Sequence, residues 1–159
     1  MPNALIIFDS YFGNTEQIAR AIGEGIGSGA YVMILKAGDV TPEQLQDANI
    51  LVVGSPTRAF RPSPAIAAFL KRIPPKGLAG VRVAAFDTGI PLEDAPFRLL
   101  RLMMKLFGYA AAPIAKKLVS KGGELALPPE GFFVGDTKGP LKEGEVERAR
   151  EWGRRVMGI

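Results

Sequence analysis

Short apolar runs that are continuous rather than alternating recur along this chain, with helix-like patterns between them. They cover residues 4–8, 31–35, 50–53, 81–86, and a last one around 117–119 that resumes at 132–134. Helical spacing of apolar residues covers about 14–27, 63–73, 95–107 and 144–156, and a short helical turn near 42–45 fills the second crossover. A strand that is apolar on both sides must be covered on both sides. Strands alternating with helices achieve this as a parallel sheet between two helical layers. The expected fold is therefore α/β, a three-layer, doubly wound, five-stranded parallel sheet. A Gly- and Pro-rich stretch, KGGELALPPEG, precedes Phe132. It is short and apolar-flanked, so it reads as an excursion interrupting the last strand rather than a linker, and residues 1–159 read as a single domain. The final helix follows the macrodipole, with Glu143, Glu145 and Glu147 at its start and Arg154 and Arg155 near its end.

Composition narrows the chemistry. The 159 residues are 47% hydrophobic, enough for one domain with a real core and against disorder. No apolar run approaches the length of a membrane span. Met-Pro-Asn leads directly into the first strand without a signal-peptide pattern, and cysteine is absent, which fits a cytoplasmic location. Histidine is also absent, so thiolate chemistry, the commonest general base and a protein-ligated zinc site are all unexpected. Any redox or transfer chemistry here falls to a bound cofactor. The net charge of +4 reads as a modestly basic domain. No basic-and-aromatic repeat or known motif points to nucleic acid.

The segment ALIIFDSYFGNT, from Ala4 to Thr15, is the most informative. A strand ends at Asp9, the loop Ser10, Tyr11, Phe12, Gly13 follows, and Asn14 and Thr15 open a helical pattern through Ile18, Ala19, Ile22 and Ile26. The unpaired amides and positive dipole end of a helix N-terminus favour an anion. Ser10, Asn14 and Thr15 add short polar side chains, and the loop has no lysine or arginine. Amides and hydroxyls suit one terminal phosphate better than a triphosphate with magnesium. The competing structural reading is helix capping, with Asn14 followed three residues later by Gln17.

Ligands of such sheets bind beyond the carboxyl ends of the strands, at the switch in strand order. For order 2-1-3-4-5 that point lies among strands one, three and four. Two further loops lie there: GSPTRAFRP after the third strand, with Pro56, Thr57, Arg58, Ala59 and Phe60, and DTGIP after the fourth, with Asp87, Thr88, Gly89 and Ile90.

With these three loops the chain resembles the flavodoxin-like family over nearly its whole length. SYFGNT resembles the phosphate loop for FMN, GSPTRAF the second, flavin-facing loop, and DTGIP stands where the third belongs. The resemblance implies the flavodoxin-like fold with strand order 2-1-3-4-5 and FMN as cofactor. Its expected contacts are Ser10, Tyr11, Phe12, Gly13, Asn14, Thr15, Pro56, Thr57, Arg58, Ala59, Phe60, Asp87, Thr88, Gly89 and Ile90. The chain departs from electron-carrier flavodoxins in three ways: Arg58 follows Pro56-Thr57, the third loop has no aromatic, and the charge is basic. The run from Pro56 to Phe60 is closer to flavodoxin-like NAD(P)H:quinone oxidoreductases, yet Arg61-Pro62-Ser63-Pro64 replaces their glycine-asparagine stretch and the histidine is missing.

Several residues admit two readings. Arg58 is a solvated loop arginine, or a cation beside the flavin that stabilises negative charge on the reduced ring. Phe60 stacks on the ring or anchors its loop. Tyr11 and Phe12 offer amides to the phosphate while their side chains pack. Asp87 reads as structural, capping its loop through the amides of Thr88 and Gly89. Arg98, Arg101 and Lys105 lie on one face of the fourth helix, either as a solvated face or as a docking stripe for an acidic partner. The leading expectation is electron transfer through non-covalent FMN to a redox protein, an acidic one fitting that stripe. The alternatives are an FMN-dependent reductase of a quinone-type acceptor and an interaction domain without FMN.

Overall fold

The computed structural model describes residues 1–57, 60–95 and 97–158. Strands β1 (Asn3–Phe8), β2 (Tyr31–Lys36), β3 (Ile50–Pro56) and β4 (Arg82–Gly89) pair in parallel in the order β2-β1-β3-β4. Two short strands share the fifth position. β5 (Glu124–Leu125) pairs with Arg82 and Val83, and β6 (Glu130–Phe133) pairs with Phe86 to Gly89, both parallel to β4. The fold is the expected doubly wound sheet in order 2-1-3-4-5, with the fifth strand interrupted by the Pro-rich excursion.

The helices are α1 (Asn14–Ile26), α2 (Pro42–Gln46), α3 (Pro64–Arg72), α4 (Arg98–Phe107), α5 (Ala111–Ser120) and α6 (Glu145–Met157). The largest departure from the sequence reading is α5. Residues 117–119 belong to it and not to a strand. Ala111, Ile114, Ala115 and Leu118 recur at helical spacing and are buried, so the local run Leu118-Val119 was misleading. Pro113 sits in the first turn, where its missing N–H would have no intrahelical partner. α2 carries a full capping box, with the Thr41 side chain and Gln44 bonding each other's backbone N–H groups.

Alternation along the strands divides the core. Leu5, Ile7, Leu51, Val53, Val83 and Ala85 pack toward Ile66 and Phe69 of α3 and Ile114 and Leu118 of α5. Ile6, Phe8, Val52, Ala84 and Phe86 pack toward Ile18 and Ile22 of α1 and Trp152 and Val156 of α6. Within that second layer Phe86, Phe132 and Trp152 meet edge to face with ring centres 6.0–6.2 Å apart. Each such pair contributes about 0.5–1.5 kcal/mol beyond burial. α1 and α6 approach to backbone contact. A Cβ on Gly25 would stand 2.0 Å from the Arg150 carbonyl oxygen, and one on Gly153 would stand 2.3 Å from that of Ile22. This contact fixes the axis of α1, and so where its N-terminus emerges beyond β1.

α6 also anchors the fifth sheet position. Glu145 accepts from the Phe133 N–H at 2.7 Å and from Arg148, while Arg148 reaches Glu130 at 2.8 Å and lies 4.5 Å over the Phe132 ring. Burial pushes the Glu145 carboxyl up, but the hydrogen bonds from Arg148 and the Phe133 N–H outweigh it and hold it below the ordinary value.

Candidate cofactor site

The three loops meet at the carboxyl edge of the sheet around a cavity of about 230 Å³. Its wall includes Ser10, Tyr11, Phe12, Asn14 and Thr15 from the first loop, Pro56, Thr57 and Phe60 from the second, and Thr88, Gly89 and Ile90 from the third. Gly13 and Asp87 lie in these segments without forming part of the wall. Arg58 and Ala59 lie outside the described residues.

At the first loop the capping reading fails. The N-cap of α1 is Gly13, not Asn14, and no side chain among the described residues caps the helix. Gly13 takes φ 90°, a left-handed conformation that glycine adopts without penalty. The first intrahelical bond runs from the Gln17 N–H to the Gly13 carbonyl, so the amides of Asn14, Thr15 and Glu16 precede it. Asn14 donates from its side-chain amide to the Lys138 carbonyl at 3.2 Å. Ser10 Oγ accepts from the Gly13 N–H at 3.0 Å, which leaves its own proton to donate. Thr15 and Thr88 share one hydrogen bond of 2.8 Å between their buried hydroxyls. Two hydroxyls hold two protons and this bond uses one, leaving the other for a third partner. The loop thus ends in unspent donors, the requirement for an acceptor-only group such as a phosphate.

The second and third loops begin later than expected, because β3 continues through Pro56 and β4 through Gly89. Thr57 donates its N–H to the Thr88 carbonyl and accepts from the Ala110 N–H on Oγ1 at 3.1 Å. Asp87 does not cap its own loop. Its Oδ2 accepts from the Ala111 N–H at 2.9 Å, at the first residue of α5. The carboxylate satisfies a helix amide in the next layer, a partner invisible to a reading that has a strand at 117–119 and no helix before it. Burial pushes the Asp87 carboxyl up to about 7; the Ala111 N–H opposes this, and Glu130 adds to it. Phe60 has φ 67°, a left-handed conformation that a bulky residue seldom adopts and that concentrates at functional sites.

Sequence reasoning missed the rest of the wall: Ala95, Leu100, Met104, Gly108, Tyr109, Val134 and Thr137. Leu100 and Met104 are four apart on α4 and face inward together, a signal already present in that helix's broad apolar arc. Tyr109 supplies the aromatic that the third loop lacks. Its ring lies against Gly89, where a Cβ would stand 3.3 Å from it, and its hydroxyl donates to the Ile90 carbonyl at 2.9 Å. Burial, with Asp87 and Glu93 nearby, pushes the Tyr109 phenol up to about 12, so it remains a donor at neutral pH. Nothing in the local sequence after α4 marks this residue, because its partner is 19 residues upstream.

The outer side of α4 is unusual. Phe97, Leu99 and Leu102 are 62%, 66% and 52% exposed, beside the exposed cations Arg98, Arg101 and Lys105. No carboxylate among the described residues pairs with these cations.

A family model described as Flavodoxin matches residues 6–152. The chain belongs to the flavodoxin family. Flavodoxins are FMN-binding electron-transfer flavoproteins, and FMN is the cofactor that membership assigns to this chain. Its fold is also that of a flavodoxin from the domain Archaea (TM-score 0.75, 22% identity, 98% of this chain and 96% of that one). Flavodoxin 2 from Bacillus cereus superposes similarly (TM-score 0.77, 22% identity, 98% of both chains). A protein of Archaeoglobus fulgidus named NAD(P)H dehydrogenase (quinone) is 26% identical across all of this chain and 97% of its own length.

The residues present fit FMN. One pole of the cavity offers amides and hydroxyl protons without a competing cap, and the remainder is largely apolar, as a phosphate on a flat ring system requires. Among the described residues no cluster of carboxylates could hold a metal, and no helix is long and apolar enough to cross a membrane.

Proposed function

We propose that this flavodoxin-family chain carries electrons, through FMN held non-covalently in the three-loop cavity, to a redox protein in the cytoplasm. The supporting observation is the cavity itself, which joins an uncapped helix N-terminus and unspent hydroxyl donors to an apolar wall. In this reading the loop and helix start from Tyr11 to Thr15, with the hydroxyls of Ser10 and Thr15, hold the phosphate. Pro56, Thr57, Phe60, Thr88, Gly89 and Ile90 border the ring, and Asp87 fixes the floor from behind. FMN supplies the electron-accepting and electron-donating chemistry. The protein orients it, excludes water through Leu100, Met104 and Tyr109, and sets its electrostatic surroundings.

The exposed face of α4 supplies the docking surface. Apolar side chains beside cations with no carboxylate partner among the described residues suit a partner with its own apolar contact area and acidic groups, which would be steered by charge and held by burial. A second reading, direct reduction of a quinone-type acceptor by NAD(P)H, is favoured by the apolar inner wall from α4 and by the name of the Archaeoglobus relative.

The purified protein, loaded with FMN and followed by absorbance, separates the two. Electron transfer from a reductase to an acidic redox protein, without NAD(P)H oxidation when a quinone is added, is the outcome expected of a carrier. Rapid quinone-dependent NAD(P)H oxidation would select the second reading, and absence of a bound-flavin spectrum would defeat both.

A further inference from the structure

The first loop contains no cation, yet the fold delivers one to it. Residues 136–139, between β6 and α6, form a turn closed on itself. The Thr137 N–H donates to Asp136 Oδ1 at 2.7 Å and the Gly139 N–H to the Asp136 carbonyl at 2.9 Å. This turn is strapped onto the first residue of α1. Asn14 donates to the Lys138 carbonyl across 124 residues of chain. Gly139 lies so close that a Cβ would stand 2.7 Å from Asn14 Oδ1, and its φ of 103° suits glycine alone. Thr137 belongs to the cavity wall. The Lys138 ammonium lies 5.9 Å from the centre of the Phe12 ring, over the loop, and no carboxylate among the described residues pairs with it.

We propose that Lys138, held by this strap, is the counter-charge to the cofactor's phosphate and a determinant of selectivity for FMN over uncharged riboflavin. The inference rests on the FMN reading above. Phosphate carries up to two negative charges, and dipoles of amides and hydroxyls offset them only in part. A point cation from another loop adds an attraction that needs no fixed hydrogen-bond geometry. Lys138 is exposed, so the attraction is modest and salt-sensitive. The strap does what a loop lysine would do while leaving the short loop free to present its amides.

The test is titration of FMN and riboflavin against wild type, Lys138→Gln, Lys138→Arg and the remote control Lys116→Gln, at low and high salt. Binding is read by flavin fluorescence. Lys138→Gln is expected to weaken FMN by about three- to tenfold at low salt. Riboflavin should be unmoved, the FMN effect should shrink at high salt, and Lys138→Arg and Lys116→Gln should resemble wild type. Wild-type-like FMN binding in Lys138→Gln, or equal losses for both flavins, would overturn the role of Lys138 and leave the FMN reading standing. Failure of the wild type to bind FMN would overturn both.

Discussion

The two ends of the cavity are built on opposite plans. At the phosphate-loop end, short polar side chains and backbone groups from β1–α1, β4 and the 136–139 turn are tied together by specific hydrogen bonds. At the α4 end, Leu100, Met104 and Tyr109 make an apolar wall, and the same helix shows to solvent leucines and cations that have no carboxylate partner among the described residues. Directional bonds tolerate few alternative ligands, because an unmatched buried donor costs about 1–3 kcal/mol. Apolar contact is non-directional and tolerates many. On the proposed reading the first end therefore specifies the cofactor, and the second serves whatever exchanges electrons with it.

The sharpest way to break this contrast is to remove the hydroxyls of the first end. Ser10→Ala combined with Thr15→Ala deletes two donors to a charged group, each contributing about 1.5–3 kcal/mol. FMN affinity should fall by roughly a hundredfold or more, while riboflavin affinity barely changes in parallel titrations. Equal losses would indicate a disturbed fold and not a lost phosphate contact.

Asp87 lies beneath both ends, and its effect is read as stability. Its carboxyl is raised to about 7 in the folded chain, against 3.8 as the ordinary value. The folded state thus binds more protons between these values. Its contribution to stability is fully present below about pH 4 and declines as pH rises through about 7. Asp87→Asn keeps an acceptor for the Ala111 N–H and removes the charge. Urea unfolding should show the variant gaining on wild type by about 2–4 kcal/mol between pH 5 and pH 8. A parallel pH dependence in both proteins would place the titration elsewhere.

The α4 end responds to different changes. Replacing Arg98, Arg101 and Lys105 together by Gln should slow electron transfer to an acidic redox protein by about tenfold at low salt. It should leave FMN affinity and unfolding midpoints near wild type, since all three side chains are exposed. Stopped-flow traces at two ionic strengths provide the check, and a rate insensitive to both salt and substitution would remove α4 from docking.

The smallest effect concerns Arg58, which follows Thr57 in the sequence. Its cation near the ring would be worth about 1 kcal/mol in a partly exposed site. Arg58→Gln should then lower the two-electron potential by about 20 mV in a spectroelectrochemical titration. An unchanged potential would make it a solvated arginine.

The same contrast explains what could be read from the sequence. The phosphate-loop end was legible because its chemistry is local: strand, polar loop and helix start follow within twelve residues, Ala4 to Thr15. The alternation of elements and the parallel sheet were legible because continuous apolar runs leave few ways to cover both faces, while the sheet order followed from the family resemblance carried by the three loops. The α4 end was not, since Tyr109 reaches the site through a tertiary contact, and at the phosphate-loop end Thr137 and Lys138 do the same; no local pattern announces any of them. Asp87 was read as structural, but its partner was missed because α5 was missed. There the apolar pair Leu118-Val119 outweighed the helical period of Ala111, Ile114, Ala115 and Leu118.

The central claim, that the uncapped start of α1 and its hydroxyl neighbours make this a phosphate-reading FMN site, is tested most directly by titrating the wild-type protein with FMN and with riboflavin under identical conditions. The account predicts FMN binding tighter by about a hundredfold or more, the equivalent of about 2.7 kcal/mol. Equal affinity for the two flavins would contradict it.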